Sequence, residues 1–470
     1  MKKIVAASLL AATALTPAAA KAQDMAQMQQ MMADMQSELA TLRGRVAELE
    51  AEQAQRDAQQ AQMHANMQEM HSQMVTNMEE VQAAVVAAPA PTVTSPSPLE
   101  ISWHGAPELE GEGGWTFKPR GRLQADTGFI SVPDSTGRPD GFGSELRRAR
   151  LGVEGTVPGG FGYKFEIDFA GNDVDVTDAI ITYKDGPLTA TVGQHNNFQS
   201  LEELTSSRFS SFIERAAFTD AFNFERRLGL SVQVKASDSV LLQGGLFSDN
   251  ISNTSGNSMS ADGRVVFMPR TGDTQLHLAG SIHYTDVGAG ELTRYRQRPL
   301  VHFTGERFIN TGNMNASSEL GLGVEAAVIH GPFHAVAEGY WQHTDLIGST
   351  MDPTFFGGYV EAGVFLTRGD SRGYRGGVFE RTRPAHPVNE GGMGAFQLNV
   401  RYDYLDLTDA GIVGGTQNGY QASLVWVPTD YTRLLLNYGR MEYDDAAYAT
   451  ASGSRNYSVD VLGLRAQIDF

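Results

Sequence analysis

Three arginines stand at alternate positions, Arg294, Arg296 and Arg298, with Tyr295 and Gln297 between them. In an extended chain alternate side chains point the same way, so these guanidinium groups share one face. Arg148 and Arg150 repeat the spacing on the face that carries Glu154, while Arg147 falls on the opposite, apolar face. Arg208 and Arg215 form a third group within 201–218. There Leu201, Leu204, Phe209, Phe212 and Ile213 are spaced for one apolar face of a short helix, with Glu202, Glu203 and Glu214 close by. A guanidinium donates two parallel hydrogen bonds to a carboxylate or phosphate and keeps its charge at every physiological pH. The pattern therefore suits reversible recognition of anions. Each group has a plainer alternative: a loop kept solvated by its charges for 294–298, solvation balanced by glutamate for Arg148 and Arg150, and a surface helix for 201–218.

Covalent chemistry has little to work with. His195, His277, His283, His302, His330, His334 and His343 are present, but no Gly-x-Ser-x-Gly elbow or metal-type histidine spacing accompanies them. His330 and His334 are four apart, yet Gly331-Pro332 between them forbids the helix such a pair needs. With no cysteine, disulfides and thiolate metal sites are excluded. Neither an enzyme, a metal site nor a cofactor is expected. The formal net charge of −19 argues against a nucleic-acid partner. From residue 115 onward 26 Arg and 4 Lys stand against 41 Asp and Glu, so any basic surface must be local.

The elements that would hold these arginines alternate with period 2. In Phe161-Gly-Tyr163-Lys164-Phe165-Glu166-Ile167-Asp168-Phe169 the apolar residues fall on odd positions and the charges on even ones. Leu228 to Val234, Leu276 to Tyr284, Phe396 to Tyr404 and Tyr420 to Trp426 repeat the pattern, and Val157-Pro158-Gly159-Gly160, Lys184-Asp185-Gly186-Pro187, Thr271-Gly272-Asp273 and Val427-Pro428-Thr429-Asp430 mark turns. An aromatic apolar face opposite a charged one fits a sheet with lipid on one side and water on the other. Residues 115–470 are too many for one sandwich and suit about sixteen tilted strands, with short turns at one end and long loops at the other. The longest polar intervals are 249–262 and 286–318. At the end, Leu462, Leu464, Ala466, Ile468 and Phe470 share one face, against Arg465, Gln467 and Asp469 on the other. The fold class expected is all-β: a closed antiparallel transmembrane barrel.

Ahead of it come three other segments. Lys2-Lys3, the apolar run Ile4–Leu15 and Ala20-Lys21-Ala22 read as a secretory signal over 1–22, the run being shorter than the about 20 residues of a membrane-spanning helix. Residues 23–86 carry a heptad repeat running from Met25 to Val81, with 13 of 17 seam positions apolar; it reads as an α-helical coiled coil. Residues 87–114, with Pro89, Pro91, Pro96 and Pro98 and then Gly-rich acidic sequence, read as an extended linker.

Several long ordered segments resemble the phosphate-selective porin O and P family. They are Glu145 to Gly155, Phe161 to Asn172, Ile181 to Leu188, Leu201 to Phe209, Ile213 to Ala216, Val364 to Thr367, Arg401 to Leu407 and Leu436 to Tyr438, and the resemblance extends over essentially all of 115–470. The resemblance implies a sixteen-stranded, trimeric outer-membrane porin of a Gram-negative bacterium, with lipid and small anionic solutes such as phosphate as partners. It also implies that Arg294, Arg296 and Arg298 belong to a ladder along the pore, and that 201–218 folds inward to narrow it. The chain departs from the family pattern in having no lysine beside Arg208 or Arg215. Other readings stay open: a general, sugar or organic-acid porin, or a barrel-anchored tether whose periplasmic coiled coil meets the cell wall.

Overall fold

The computed structural model describes residues 100–470, except 173 and 254–255, together with residues 68 and 72. The expected signal peptide and, apart from those two positions, the expected coiled coil lie outside the described residues.

Sixteen strands carry the period-2 sequence: β1 (Trp115–Ser131), β2 (Gly141–Val157), β3 (Phe161–Asp168), β4 (Asp175–Asp185), β5 (Leu188–Asn196), β6 (Arg226–Ser237), β7 (Val240–Phe247), β8 (Met259–Phe267), β9 (Thr274–Asp286), β10 (Ala316–His330), β11 (Phe333–Leu346), β12 (Thr354–Phe365), β13 (Ala395–Asp409), β14 (Ile412–Thr429), β15 (Thr432–Asp444) and β16 (Tyr457–Asp469). Each pairs antiparallel with the next. β16 returns to β1, from Asp460 opposite Ser131 to Asp469 opposite Arg122, and the sheet closes into a barrel. Closure leaves the barrel's backbone groups paired without water, the condition for crossing lipid. No helix among the described residues is long and apolar enough to cross a membrane. Within the expected linker, Glu100–Trp103 and Pro107–Gly111 form a hairpin whose second strand pairs with the start of β1. The bend falls at Gly105, where φ is +82°.

The alternation decides what faces out. On β16, Leu462, Leu464 and Ile468 are exposed while Arg465, Gln467 and Asp469 are buried inside. On β3, Phe161 and Phe165 point outward and Glu166 inward. Two aromatic girdles border the apolar band. Near one end lie Phe129 with Phe142, Trp341 with Phe356, and Tyr402 with Tyr420; near the other lie Phe161 with Tyr183 and Phe396 stacked on Trp426. Amphipathic rings favour the level of the lipid headgroups, so the girdles mark the two membrane surfaces.

Connections at the Phe161 end are mostly tight turns: 158–160, 186–187, 238–239, 268–273, 331–332 and 430–431. One is not. Residues 366–394 join β12 to β13 at this turn side with a long segment that contains a small hairpin, Gly373–Arg375 with Val378–Glu380. The expectation of short turns all along one end is therefore corrected here. At the loop side, 197–225 and 287–315 are the longest connections.

A sixteen-stranded barrel is too wide for wall side chains to fill. The long segments bring their own core. Phe218, Phe222, Tyr295, Val301 and Phe308 pack with wall residues Tyr340, Phe355, Tyr359, Leu405 and Tyr443 in one buried cluster inside the barrel. The inner face is thus not water-lined all round: along β10–β16 much of its loop-side half is dry.

Candidate functional site

The inner space is shaped by 197–225. Ser200 starts helix α1 (Leu201–Leu204) as an N-cap, its Oγ accepting from the Glu203 amide. The helix stops after one turn, and helix α2 (Ala217–Ala221) follows a stretch without helix. The apolar spacing that predicts one helix over 201–218 is thus overridden by serines. Ser206 Oγ accepts from the Arg208 amide and Ser210 Oγ donates to the Ser207 and Phe212 carbonyls, giving the backbone local partners that compete with a helix. The intended apolar side chains are buried all the same: Leu201, Phe209, Phe212 and Ile213.

The segment follows the inner wall from strand to strand. Ser281 Oγ on β9 donates to the Gln199 carbonyl, and Glu338 on β11 accepts from Ser200 Oγ and the Leu201 and Glu202 amides. Asp403 on β13 accepts from the Ala217 amide, Arg433 on β15 donates to the Arg208 and Ser210 carbonyls, and Gln124 on β1 donates to the Ser207 carbonyl. An irregular backbone inside a barrel must find such partners, because an unpaired buried polar group costs about 1–3 kcal/mol. The segment lies against β9–β16 and touches β1 and β2 through Gln124 and Arg147, leaving the rest of the β1–β6 side open.

That open side is basic. A cavity of about 420 Å³ has eight Arg or Lys side chains and one acid, Asp178, in its lining. They come from β1 (Arg120, Arg122), β2 (Arg148, Arg150), β3 (Lys164), β6 (Arg226) and the inward segment (Arg208, Arg215). Carboxylates stand behind most of them. Arg150 pairs with Glu166 at 3.1 Å and Asp168 at 2.7 Å, whereas Glu154, its expected partner, pairs with Arg120. Lys164 and Arg226 share Asp178 at 2.7 and 3.2 Å. Arg148 is different: buried, it donates to Gln124 Oε1 at 2.9 Å, and no carboxylate among the described residues pairs with it.

Arg147 departs from its expected place on the apolar face. Gln124 lies opposite Arg148 and Ala125 opposite Leu146, so Arg147 is the extra residue of a β-bulge. The bulge turns it inward, where Nε and Nη2 donate to both oxygens of Glu214 at 2.8 and 3.1 Å. The two guanidinium groups facing Glu214, from Arg147 and Arg465, hold its carboxyl well below the usual carboxylate range. Arg215 closes the end of α1: it donates to the carbonyls of Glu202, Glu203 and Thr205 at 2.8–3.0 Å and pairs with the Glu203 carboxylate at 3.0 Å. Burial nonetheless raises the Glu203 carboxyl above its ordinary value. Arg208 lies over the Phe209 ring and 3.5 Å from Asp469.

A second, smaller cavity of about 150 Å³ lies toward the loop side, lined by Arg147, Glu214, Arg298 and His302 among others. Arg148 and Arg215 line both cavities, so these two side chains stand at the junction between them. Arg294 and Arg296 line a third cavity of about 390 Å³ with Arg227, Glu225, Asp249, Glu291 and Glu319. The alternation read in 294–298 is present: Thr293, Tyr295 and Gln297 are buried, and the three arginines lie on the other face. They sit on a loop, 287–315, and not on a barrel strand. Arg294 donates to Asn310 at 2.9 Å, and Arg298 is 3.6 Å from Asp220. Of the seven arginines singled out by spacing, Arg148, Arg150, Arg208 and Arg215 meet at one cavity, Arg298 at the adjoining one, and Arg294 and Arg296 farther out.

Sequence spacing missed Arg120, Arg122, Lys164 and Arg226. Arg120, Arg122 and Lys164 are on the polar face of their strands, and Arg226, the first residue of β6, is in step with the exposed Leu228 and Leu230, so alternation points it the wrong way; only the barrel's curvature converges the four. It also missed three buried histidine–carboxylate pairs behind the inward segments: His283 with Asp262, His277 with Glu325 at 3.0 Å and His334 with Glu361 at 3.2 Å. No group of three or more His, Asp or Glu residues suited to a metal ion occurs among the described residues.

Comparison with known proteins agrees with a pore. An uncharacterized protein of Caulobacter vibrioides is 49% identical over 391 residues, spanning 79% of this chain and 78% of the relative. Among solved structures, OmpT, an outer membrane protein of Vibrio cholerae, is similar with a TM-score of 0.50 at 13% identity over 77% of this chain and 99% of that one. An anion-selective porin from Comamonas acidovorans is similar with a TM-score of 0.49 at 13% identity, over 76% of this chain and 100% of that one. The family model for phosphate-selective porin O and P matches residues 117–470, the whole barrel. A closed sixteen-stranded sheet with aromatic girdles, an inward-folded segment and a family match over its full length make this chain a member of the phosphate-selective porin O and P family, an outer-membrane channel.

Proposed function

We propose that this channel carries small anions by passive diffusion, along a path from Arg294 and Arg296 through Arg298 to Arg148 and Arg215 and on past Arg150, Arg122 and Arg208. The observation that carries the reading is Arg148, a buried cation with no carboxylate partner among the described residues, at the junction of two cavities. A fixed charge near a narrow passage lowers the energy of one sign of ion and raises that of the other. The inward segment 197–225 forms the constriction in this reading. Phosphate is one candidate solute. The lining supplies arginine forks for it, but its one lysine, Lys164, is held by Asp178, so phosphate preference is the part to test first. Trimeric assembly, with the turn side toward the periplasm, completes the proposal.

The test is reversal potential in a salt gradient across planar bilayers. The wild-type channel is expected to prefer chloride over potassium, and Arg294→Ala combined with Arg296→Ala to reduce that preference. An unchanged potential removes both arginines from the path. Added phosphate that blocks or saturates the chloride current marks a binding site; unaffected current makes this a general anion pore.

A further inference from the structure

The hairpin ahead of the barrel, Glu100–Trp103 with Pro107–Gly111, has two unlike faces. Side chains paired across a sheet point to the same side. Ile101 pairs with Leu109 and Leu109 with Phe117, while Trp103 pairs with Pro107. These residues therefore continue the outer surface of β1, where Phe117 and Leu123 are exposed on the lipid side and Arg122 and Gln124 are buried inside. Trp103 is 71% exposed and Ile101 65%, more than Phe129 of the loop-side girdle at 55%. Glu100, Ser102, Glu108 and Glu110 take the opposite face. The position is fixed at both ends. Gly111 pairs with Trp115, at the end of the barrel where Phe161 and Tyr183 form the turn-side girdle. At the bend, a carbon added to Gly105 would come within 2.4 Å of the Tyr431 ring, and Ala106 is buried.

We infer that the outer face of this hairpin is a lipid-contact surface, lying among the phospholipid headgroups of the turn-side leaflet. A sheet that holds Ile101, Trp103, Leu109, Trp115 and Phe117 on one side is too apolar to be left to water. Its three glutamates keep the reverse face wet, so the hairpin cannot sink into hydrocarbon. An element with one apolar and one charged face settles at the boundary between the two, and indole rings favour that level. Lipid is the occupant because the apolar face continues, in register, the strand that already meets lipid. The surface also closes a gap beside the seam. β16 stops at Phe470, bonded to Gly121, while β1 continues to Trp115, and the hairpin pairs with part of that otherwise open edge. The inference depends on the barrel's place in the membrane and not on the solute it passes.

The test uses the full chain in liposomes of phosphatidylethanolamine and phosphatidylglycerol, with folded barrels first separated by their compact gel mobility. The chain has no native cysteine, so Ile101→Cys and Ser102→Cys can each be labelled with a benzophenone maleimide and irradiated. Mass spectrometry then reads what each label has captured. Ile101→Cys is expected to give at least threefold more phospholipid adduct than Ser102→Cys, whose label points to the other face. A label at 101 that captures a second chain, or another part of its own chain, would overturn the inference, because protein then covers the face. Equal phospholipid capture from the two variants, or none from either, would overturn it as well.

Discussion

Arg148→Gln isolates one charge with little else changed. Glutamine can still reach Gln124, and no ion pair is broken, because Arg148 has none. An ion passing about 5 Å from the guanidinium in water-like surroundings gains or loses about 0.8 kcal/mol, depending on its sign. Removing the charge costs an anion that amount and relieves a cation of it, so the preference falls by about 1.6 kcal/mol, or about 15-fold. Protein walls of lower polarity would enlarge this and salt would reduce it, so the measurement belongs at low ionic strength. The assay is reversal potential in a potassium chloride gradient, with Arg148→Lys alongside to restore charge without the planar fork. Lysine is expected to keep the chloride preference and glutamine to lose most of it. A glutamine variant with wild-type potential and normal conductance would falsify the placement of the path beside Arg148.

Other outcomes follow from the same geometry. Arg465→Ala removes the partner of buried Asp126, bonded at 2.6 and 2.7 Å, while Glu214 keeps Arg147; stranding Asp126 is expected to cost about 3–5 kcal/mol, read as a lower urea midpoint. Gly121→Val places carbon where the Phe470 ring sits, 2.2 Å from an added Cβ, and is expected to destabilise the barrel by about 1–3 kcal/mol, seen as a lower temperature for loss of its compact gel mobility. Glu203 has its carboxyl raised by burial, so on lowering pH it becomes neutral before ordinary glutamates and leaves Arg215 uncompensated. Chloride preference should therefore increase as pH falls, and in Glu203→Gln that portion of the increase should be absent.

Much of the barrel was legible because a strand between lipid and polar interior repeats every second residue. β3 and β16 show it at sight: Phe165 against Glu166, Ile468 against Asp469. What resisted reading was local irregularity. The period assigns Arg147 to the lipid face, and a single bulge moves it inside. Helix spacing in 201–218 named four side chains that are buried, with Leu204 only half-buried, and the wrong backbone, since Ser206 and Ser210 divert the hydrogen bonds. The hairpin at 373–380 carries ordinary strand residues, and nothing in its composition says that Phe379 joins the buried cluster inside the barrel. The arginine groupings fared according to how far their meaning was local. Alternation in 294–298 is a property of five residues and is present; the meeting of Arg122, Arg148, Arg208 and Arg226 depends on strands far apart in the chain.

The ion pair between Arg465 and Asp126 joins residues 339 positions apart, at the line where β16 meets β1. Glu214 of the inward segment belongs to the same network. The stitch that zips the cylinder shut therefore also fastens what lies within it. Removing that one arginine therefore loosens the seam and the inward segment together.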